Sequence, residues 1–240
     1  AALVRPYGIR ILEDASHAVG GSYQQKPVGS CTFSDAAAFS FHPVKIITTS
    51  EGGALCCNDE ALAERVRQLR SHGITKDPDH FENQPAGPWA YEQQVLGFNY
   101  RMTDIQAALG LSQLTRLRSI VEERNRLLRR YQELLSSLPV DLLVIPNETY
   151  SAVHLAVIKL KGDDAVVHRK VFEHLRAQSI GVQVHYTPVH LQPYYSRLGF
   201  KPGDFPAAEA YGRSAISLPL FPGLTDDEQL RVVKALEAVL

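Results

Sequence analysis

Lys45 lies within AAAFSFHPVKIITTSEGG, residues 36–53, between two stretches that read as buried strands. Ala36 to Phe41 is small and aromatic, Ile46 to Thr49 is wholly β-branched, and Glu51-Gly52-Gly53 then supplies a turn. An ammonium group flanked on both sides by apolar sequence is unusual, because burying it without a partner is costly. Using the amine as a nucleophile toward a carbonyl group resolves that cost. The structural alternative is a lysine snorkelling from a loop beside His42-Pro43.

Upstream, Ile9-Arg10-Ile11-Leu12 reads as a short strand that ends in Glu13-Asp14-Ala15-Ser16-His17-Ala18. Polar groups just past the carboxyl end of a strand in an α/β sheet face the ligand crevice. Asp14 is suited there to a cationic ring nitrogen, and His17 to a ring face or a hydrogen bond. Singly, Asp14 also fits a helix N-cap and His17 a surface histidine. Together, strand-Asp-x-x-His, Phe-Ser-Phe-x-x-x-Lys and a Gly-Gly turn are far more specific than any one of them.

The 240 residues, 45% of them hydrophobic, suffice for one or two cored domains. A net charge of −1 gives no electrostatic case for nucleic acid or an anionic membrane. Arg116, Arg118, Arg124, Arg126, Arg129 and Arg130 cluster, but Glu122 and Glu123 interleave, which reads as a solvated helix face. No apolar run is long enough to span a bilayer, and no signal-peptide pattern is seen. Cys31, Cys56 and Cys57 form no disulfide framework and fit small apolar residues in a reducing cytosol, so a cytoplasmic location is expected. CxxC and HExxH are absent and His185 and His190 flank a proline, so no metal is expected.

The elements that must position these groups follow from pattern. Strands are expected at 9–14, 36–41 and 53–57, with a hairpin-like segment around Lys45. Residues 59–71 form an amphipathic helix bearing Leu62, Val66 and Leu69 on one face. Residues 75–94 read as a long polar loop. Thr103-Asp-Ile-Gln106 is a capping box opening a helical pattern that runs to Leu138, with a bend near Ser119. Its apolar stripe is Ile105, Leu109, Leu114, Leu117, Val121, Leu128, Tyr131 and Leu135. A small α+β unit follows: strands at 153–160 and 181–186, helices at 165–178 and 207–215, and a last helix opened by the capping box Thr225-Asp-Asp-Glu228.

EDASHAVGGSY, FSFHPVKIITTSEGG, LRSHG and GFNYRMTDIQAALGLSQL, in this order along the chain, resemble the DegT/DnrJ/EryC1/StrS family of pyridoxal-phosphate sugar aminotransferases. The resemblance implies an α/β fold of type I, with a partial large cofactor-binding domain over 1–120 and a small C-terminal α+β domain over 121–240. Family members carry a longer segment before the EDASHA strand, so the resemblance covers the C-terminal portion of a family chain. The helix N-terminus that clamps the cofactor phosphate and the aromatic residue that stacks on its ring would lie outside it. Weak cofactor binding by these 240 residues alone is therefore expected.

The family's roles carry over by position. Lys45 matches the lysine that holds pyridoxal 5′-phosphate covalently and then moves the proton as acid and base. Asp14 matches the carboxylate on the pyridine nitrogen, His17 the contact to the ring 3-hydroxyl, and Ser40 a hydroxyl on the phosphate. Asn99 matches an asparagine donated to the neighbouring subunit's phosphate site, which implies a homodimer, and Arg101 adds a charge-assisted contact. Ser50 stands where many relatives have glycine. His185, Tyr186, His190 and Tyr194 resemble the loop that meets the sugar nucleotide, where exposed aromatic and imidazole groups suit sugar and uracil faces.

Within the family, PWAYE, GVQVHYTPVHLQPYY and SLPLFPGLTDDE resemble the branch acting on a UDP-4-keto-6-deoxy-N-acetylhexosamine, with glutamate as donor, in pseudaminic acid or related synthesis. Two alternatives stand beside it: an aminotransferase for another 3- or 4-keto nucleotide sugar, and a non-catalytic fragment lacking part of the cofactor site. A sugar dehydratase of the same fold, with histidine for the lysine, is disfavoured by Lys45.

Overall fold

Strand and helix alternate along residues 1–240, all of which the computed structural model describes. They divide into one unit of Ala1–Arg118 with Glu148–Tyr150 and another of Ser119–Asn147 with Ser151–Leu240. The first holds β1 (Leu12–Asp14), β2 (Ser22–Tyr23), β3 (Lys26–Pro27), β4 (Ala36–Ser40), β5 (Gly53–Cys57), α1 (Glu60–Arg70), β6 (Ile74–Thr75), β7 (Glu92–Gln93) and α2 (Asp104–Leu114). After α3 (Leu117–Leu134) and β8 (Val140–Leu142), β9 (Thr149–Tyr150) pairs with β2 in the first unit. The second unit continues through β10 (Ala156–Leu160), α4 (Ala165–Ala177), α5 (Pro193–Ser196), α6 (Pro206–Gly212), β11 (Ala215–Leu218) and α7 (Asp226–Glu237).

In the first unit β4 is the middle strand, parallel to β1 and antiparallel to β5. Its register sets Asp14 beside Ala38 and Ser40 beside Gly53. Alanines at 36 and 37 are buried, and Ala37 packs with Ala15 and Cys31 under Val28, Phe39 and Cys56. Helix α1 starts at Asp59, whose carboxylate accepts from the Leu62 amide, and α2 starts at the Thr103–Gln106 capping box. Such caps satisfy otherwise orphaned amides and contribute about 1 kcal/mol each.

Two expectations need correcting here. Ile46, Ile47 and Thr49 are buried, but they form no strand. The Phe41 carbonyl accepts from the Thr49 amide and the Thr48 hydroxyl, while the Thr48 amide donates to Gln113 of α2, so the ladder bonds go elsewhere. The long helix breaks at Thr115-Arg116 rather than near Ser119; the Thr115 hydroxyl bonds back to the Ser112 carbonyl at 2.8 Å. The 75–94 segment is anchored at its ends by the β6–β7 pair, and Glu92 accepts from the amides of Glu82 and Asn83.

The second unit is built on the antiparallel sheet β11-β10-β8. Leu127 and Tyr131 of α3, Ile158, Leu175, Ile216 and Leu236 are fully enclosed in its core. Burying each such side chain contributes about 1.5–3 kcal/mol. The expected strand over 181–186 is absent: only Gln183 bridges, to Ser217 of β11.

The arginine-rich face of α3 is also not wholly solvated. Arg124 follows Val121 by three and precedes Leu128 by four, so it falls on the buried stripe, and it is only 6% exposed. Its Nη1 donates to the carbonyls of Val153, His154 and Leu220 at 3.3, 3.2 and 3.1 Å. Val153 is a β-branched residue at φ +50°, a left-handed conformation that needs such support. We predict that Arg124→Ala, which leaves three inward carbonyls without their donor, lowers the unfolding free energy by about 3 kcal/mol in denaturant titration. A loss below about 0.5 kcal/mol, typical of surface changes, would refute this role.

Candidate active site

Side chains two residues apart on a strand share a face, and parallel neighbours in register do too. Asp14 is in register with Ala38, and Ser40 lies two residues beyond, so the carboxylate and the hydroxyl lie on one face of the sheet. Both close the carboxyl ends of parallel strands, the position where open α/β sheets take ligands. From Ser40 the chain turns at once: the Lys45 amide donates to the His42 carbonyl at 2.9 Å, and the His42 amide donates to Ser40 Oγ at 3.4 Å. Lys45 is half-buried and its ammonium has no carboxylate within ion-pair distance.

Asp14 Oδ1 accepts from the Ser16 hydroxyl at 2.5 Å and the Ser16 amide at 3.1 Å. These two bonds, then the positive charges of His17 and Lys45, hold the Asp14 carboxyl below the ordinary carboxylate range. An ionised, largely exposed carboxylate fixed by one oxygen leaves Oδ2 for an incoming N–H. That suits a protonated ring nitrogen, while Ser40 offers a hydroxyl to an anion and Lys45 an amine to a carbonyl. The donor set therefore fits pyridoxal phosphate.

The segment after Lys45 is fastened from α2: Gln113 takes the Thr48 amide and Gln106 donates to the Glu51 carbonyl at 2.9 Å. Ser50, at φ +68°, occupies a left-handed position where glycine is free of strain. That conformation accounts for serine being the departure there.

Asn99 and Arg101 stand apart from this group. Asn99 bridges to Ser71 at the end of α1 and makes no bond to Asp14, Ser40 or Lys45. The approach is close: a Cβ on Gly97 would lie 2.1 Å from the Gly73 nitrogen, so glycine is required. Arg101 borders a groove of about 910 Å³ between β5 and α1, with Tyr100, Met102 and Arg67.

The four remaining candidates lie in the second unit. His185 Nδ1 shares a 2.5 Å hydrogen bond with Ser217 Oγ, and burial lowers its pKa, favouring neutral imidazole. Its ring meets that of Tyr186 at 4.4 Å, and Tyr186 is exposed, as is Tyr194 beside Tyr195. His190 departs from expectation. It is buried, with Nε2 2.9 Å from Glu209, and is not an imidazole open to a sugar or uracil. Ser16, Ser217 and Glu209 were missed as functional partners. Only Ser16 carried a signal, the Asp-x-Ser spacing of a side-chain-capped turn.

A carboxylate and a hydroxyl thus close the carboxyl ends of two parallel strands, with a lysine on the turn that follows, where α/β sheets take ligands. The profile of the DegT/DnrJ/EryC1/StrS aminotransferase family matches residues 1–237, and the chain belongs to that family. It is 37% identical over 246 residues to the spore coat polysaccharide biosynthesis protein SpsC of Bacillus subtilis, covering 100% of this chain and 62% of SpsC. The PLP form of the sugar aminotransferase Spr1654 of Streptococcus pneumoniae superposes with a TM-score of 0.86 at 29% identity, over 100% of this chain and 61% of that one. Helicobacter pylori PseC, an aminotransferase of pseudaminic acid biosynthesis, gives 0.88 at 31% identity, over 99% and 61%. The chain thus spans about three-fifths of the length of the relatives it matches. No helix is long and apolar enough to cross a membrane.

The Ser16 contacts generate a prediction about charge. Ser16→Ala removes the largest cause of the lowered Asp14 pKa, so the carboxyl should titrate at higher pH, read by carbon NMR of the labelled side chain. Because a lowered carboxylate pKa stabilises above the unfolded value, that contribution should vanish at higher pH in the variant than in the parent as acid is added. An unmoved Asp14 titration would refute the assignment.

Proposed function

We propose that the whole protein is a pyridoxal-phosphate-dependent sugar aminotransferase that moves an amino group from glutamate to the keto carbon of a UDP-4-keto-6-deoxy-N-acetylhexosamine. The observation that carries this reading is the shared face of Asp14 and Ser40 with Lys45 on the turn that follows. The similarity to PseC supports a pseudaminic-type substrate, the reaction of a UDP-4-amino-4,6-dideoxy-N-acetyl-β-L-altrosamine transaminase. The similarity to SpsC supports the coarser assignment to polysaccharide amino sugars, and with it the alternative of another keto nucleotide sugar.

When bound, pyridoxal phosphate supplies an aldehyde for amines and a ring that withdraws electrons. Asp14 Oδ2 holds the proton on the ring nitrogen, because a carboxylate kept ionised favours the cation beside it. Ser40 Oγ donates to the phosphate, and His17 lines the ring. Lys45 Nζ would anchor the cofactor and, once free, move the proton between the cofactor and the substrate carbon. It is suited to both because no short ion pair fixes it, Asp14 acting on it only at longer range. Tyr186, Tyr194 and the neutral His185 offer flat faces and a hydrogen bond to the sugar nucleotide. The unit Ala1–Arg118 serves as part of the cofactor domain and the unit from Ser119 as the small domain.

Assembly belongs to the same reading. Phe98, Tyr100, Ile105 and Leu111 are exposed apolar groups around Asn99 and along α2, which suits a two-fold homodimer in which Asn99 and Arg101 serve the partner's phosphate and substrate sites.

Borohydride reduction of the whole protein with pyridoxal phosphate should fix the label on the peptide containing Lys45; label on Lys26 or Lys76 would sink the assignment. Asp14→Asn should still bind the cofactor while kcat falls by about a hundredfold or more, since an amide cannot hold the ring nitrogen protonated. Near-normal turnover in that variant would reject the role.

A further inference from the structure

Glu209 of α6 is 8% exposed, an uncommon setting for a carboxylate. Its Oε1 lies 2.9 Å from His190 Nε2 and accepts from the Gly203 amide at 2.7 Å, and Arg213 Nη1 lies 3.8 Å from Oε2. The His190 bond and the Gly203 amide keep the carboxyl below its ordinary range, so the charged form sits there. His190, 7% exposed, meets the ring of Phe205 edge-on at 4.8 Å.

One buried carboxylate thus ties together the turn Val189–Leu191, the loop at Gly203 and α6. Between its two loop contacts run residues 192–202. Their backbone hydrogen bonds are all local: Ser196 to Gln192, Arg197 to Pro193, Leu198 to Tyr195, Gly199 to Ser196. None reaches the sheet. The segment carries a row of rings, Tyr194 to Tyr195 at 5.2 Å and Tyr195 to Phe200 at 6.5 Å, which ends on Phe205 at 6.0 Å from Phe200. Beyond its own α5 and ring contacts the segment is fastened to the unit at its ends, and both ends meet at Glu209.

We infer that Glu209 and His190 form a buried latch that positions the aromatic loop 192–205 for the sugar nucleotide. Glu209 is a positioning residue that acts through Tyr194, and His190 holds the loop rather than touching substrate. The inference rests on the reading above that Tyr186 and Tyr194 meet the sugar nucleotide.

The test is hydrogen exchange and steady-state kinetics on the whole protein with its cofactor, as wild type, Glu209→Ala, Glu209→Gln and His190→Ala. Exchange in 189–205 should rise about tenfold or more in Glu209→Ala and His190→Ala, matching a lost charge-assisted bond, while β10 and β11 stay protected. KM for the keto sugar should rise about tenfold, more than kcat falls, with KM for the amino donor unchanged. Glu209→Gln keeps an acceptor for the Gly203 amide and should recover most of both effects. Unchanged exchange in 189–205, or an equal loss of protection at β10 and β11, would overturn the latch. Faster loop exchange with an unchanged sugar KM would overturn the positioning role and leave the aminotransferase reading standing. A wild type without transaminase turnover would instead reject that reading, and with it the role toward the sugar; exchange alone would then decide whether the latch exists.

Discussion

The parallel pairing of β1 with β4 is the constraint on which the site depends. It aligns two carboxyl ends and fixes which side chains share a face. Because side chains alternate with a period of two, a slip of one residue would send Ser40 to the face opposite Asp14. The register is held by the buried Ala37, packed against Ala15 and Cys31, and by the antiparallel β5 on the far side. The Asp35 carboxylate also accepts the Ile11 amide at 2.8 Å and an Arg10 bond at 2.8 Å, which pins the start of β1 to the start of β4.

The two units solve different problems. The second has a large aliphatic core and can carry internal strain, as at Val153, because Arg124 and the Ser151 hydroxyl satisfy the backbone around it. The first packs Ala15, Cys31 and Ala37 with Phe39, buries Ile46 and Ile47, and adds polar fastenings: Gln113 and Gln106 from α2, the Thr48 and Thr49 hydroxyls, and Ser16 on Asp14. A site assembled from hydrogen bonds holds charged groups where they remain hydrated enough to ionise. An aliphatic core would neutralise them.

Charged side chains inside the second unit act on the backbone and loops around them. Arg124 is satisfied by carbonyls, and Glu209 by His190 and a backbone amide. Each lies where regular backbone pairing is missing, and supplies a substitute for it. This explains why a histidine embedded in an aromatic, substrate-like sequence turns inward: His190 has a buried carboxylate to meet.

Much of the architecture was legible in the residues themselves. The capping boxes at Thr103 and Thr225 mark helix starts through local bonds, and alternation and small side chains mark β4 and β5, whose partners need no distant information. Lys45 and Asp14 stood out because their charge is at odds with their apolar flanks, whereas Ser40 entered through the family resemblance. What the sequence could not decide was anything requiring a partner far along the chain. Ile46 to Thr49 has the composition of a strand, yet Gln113, 65 residues on from Thr48, takes its amide and leaves it irregular. Residues 181–186 alternate like a strand, but only Gln183 finds a pairing position on β11. Arg124 and His190 look like solvent-facing residues until Leu220 and Glu209 are brought beside them. Local propensity sets which groups need partners, while tertiary structure alone decides which partner arrives, because burial turns each unpaired polar group into a free-energy cost that the fold must resolve.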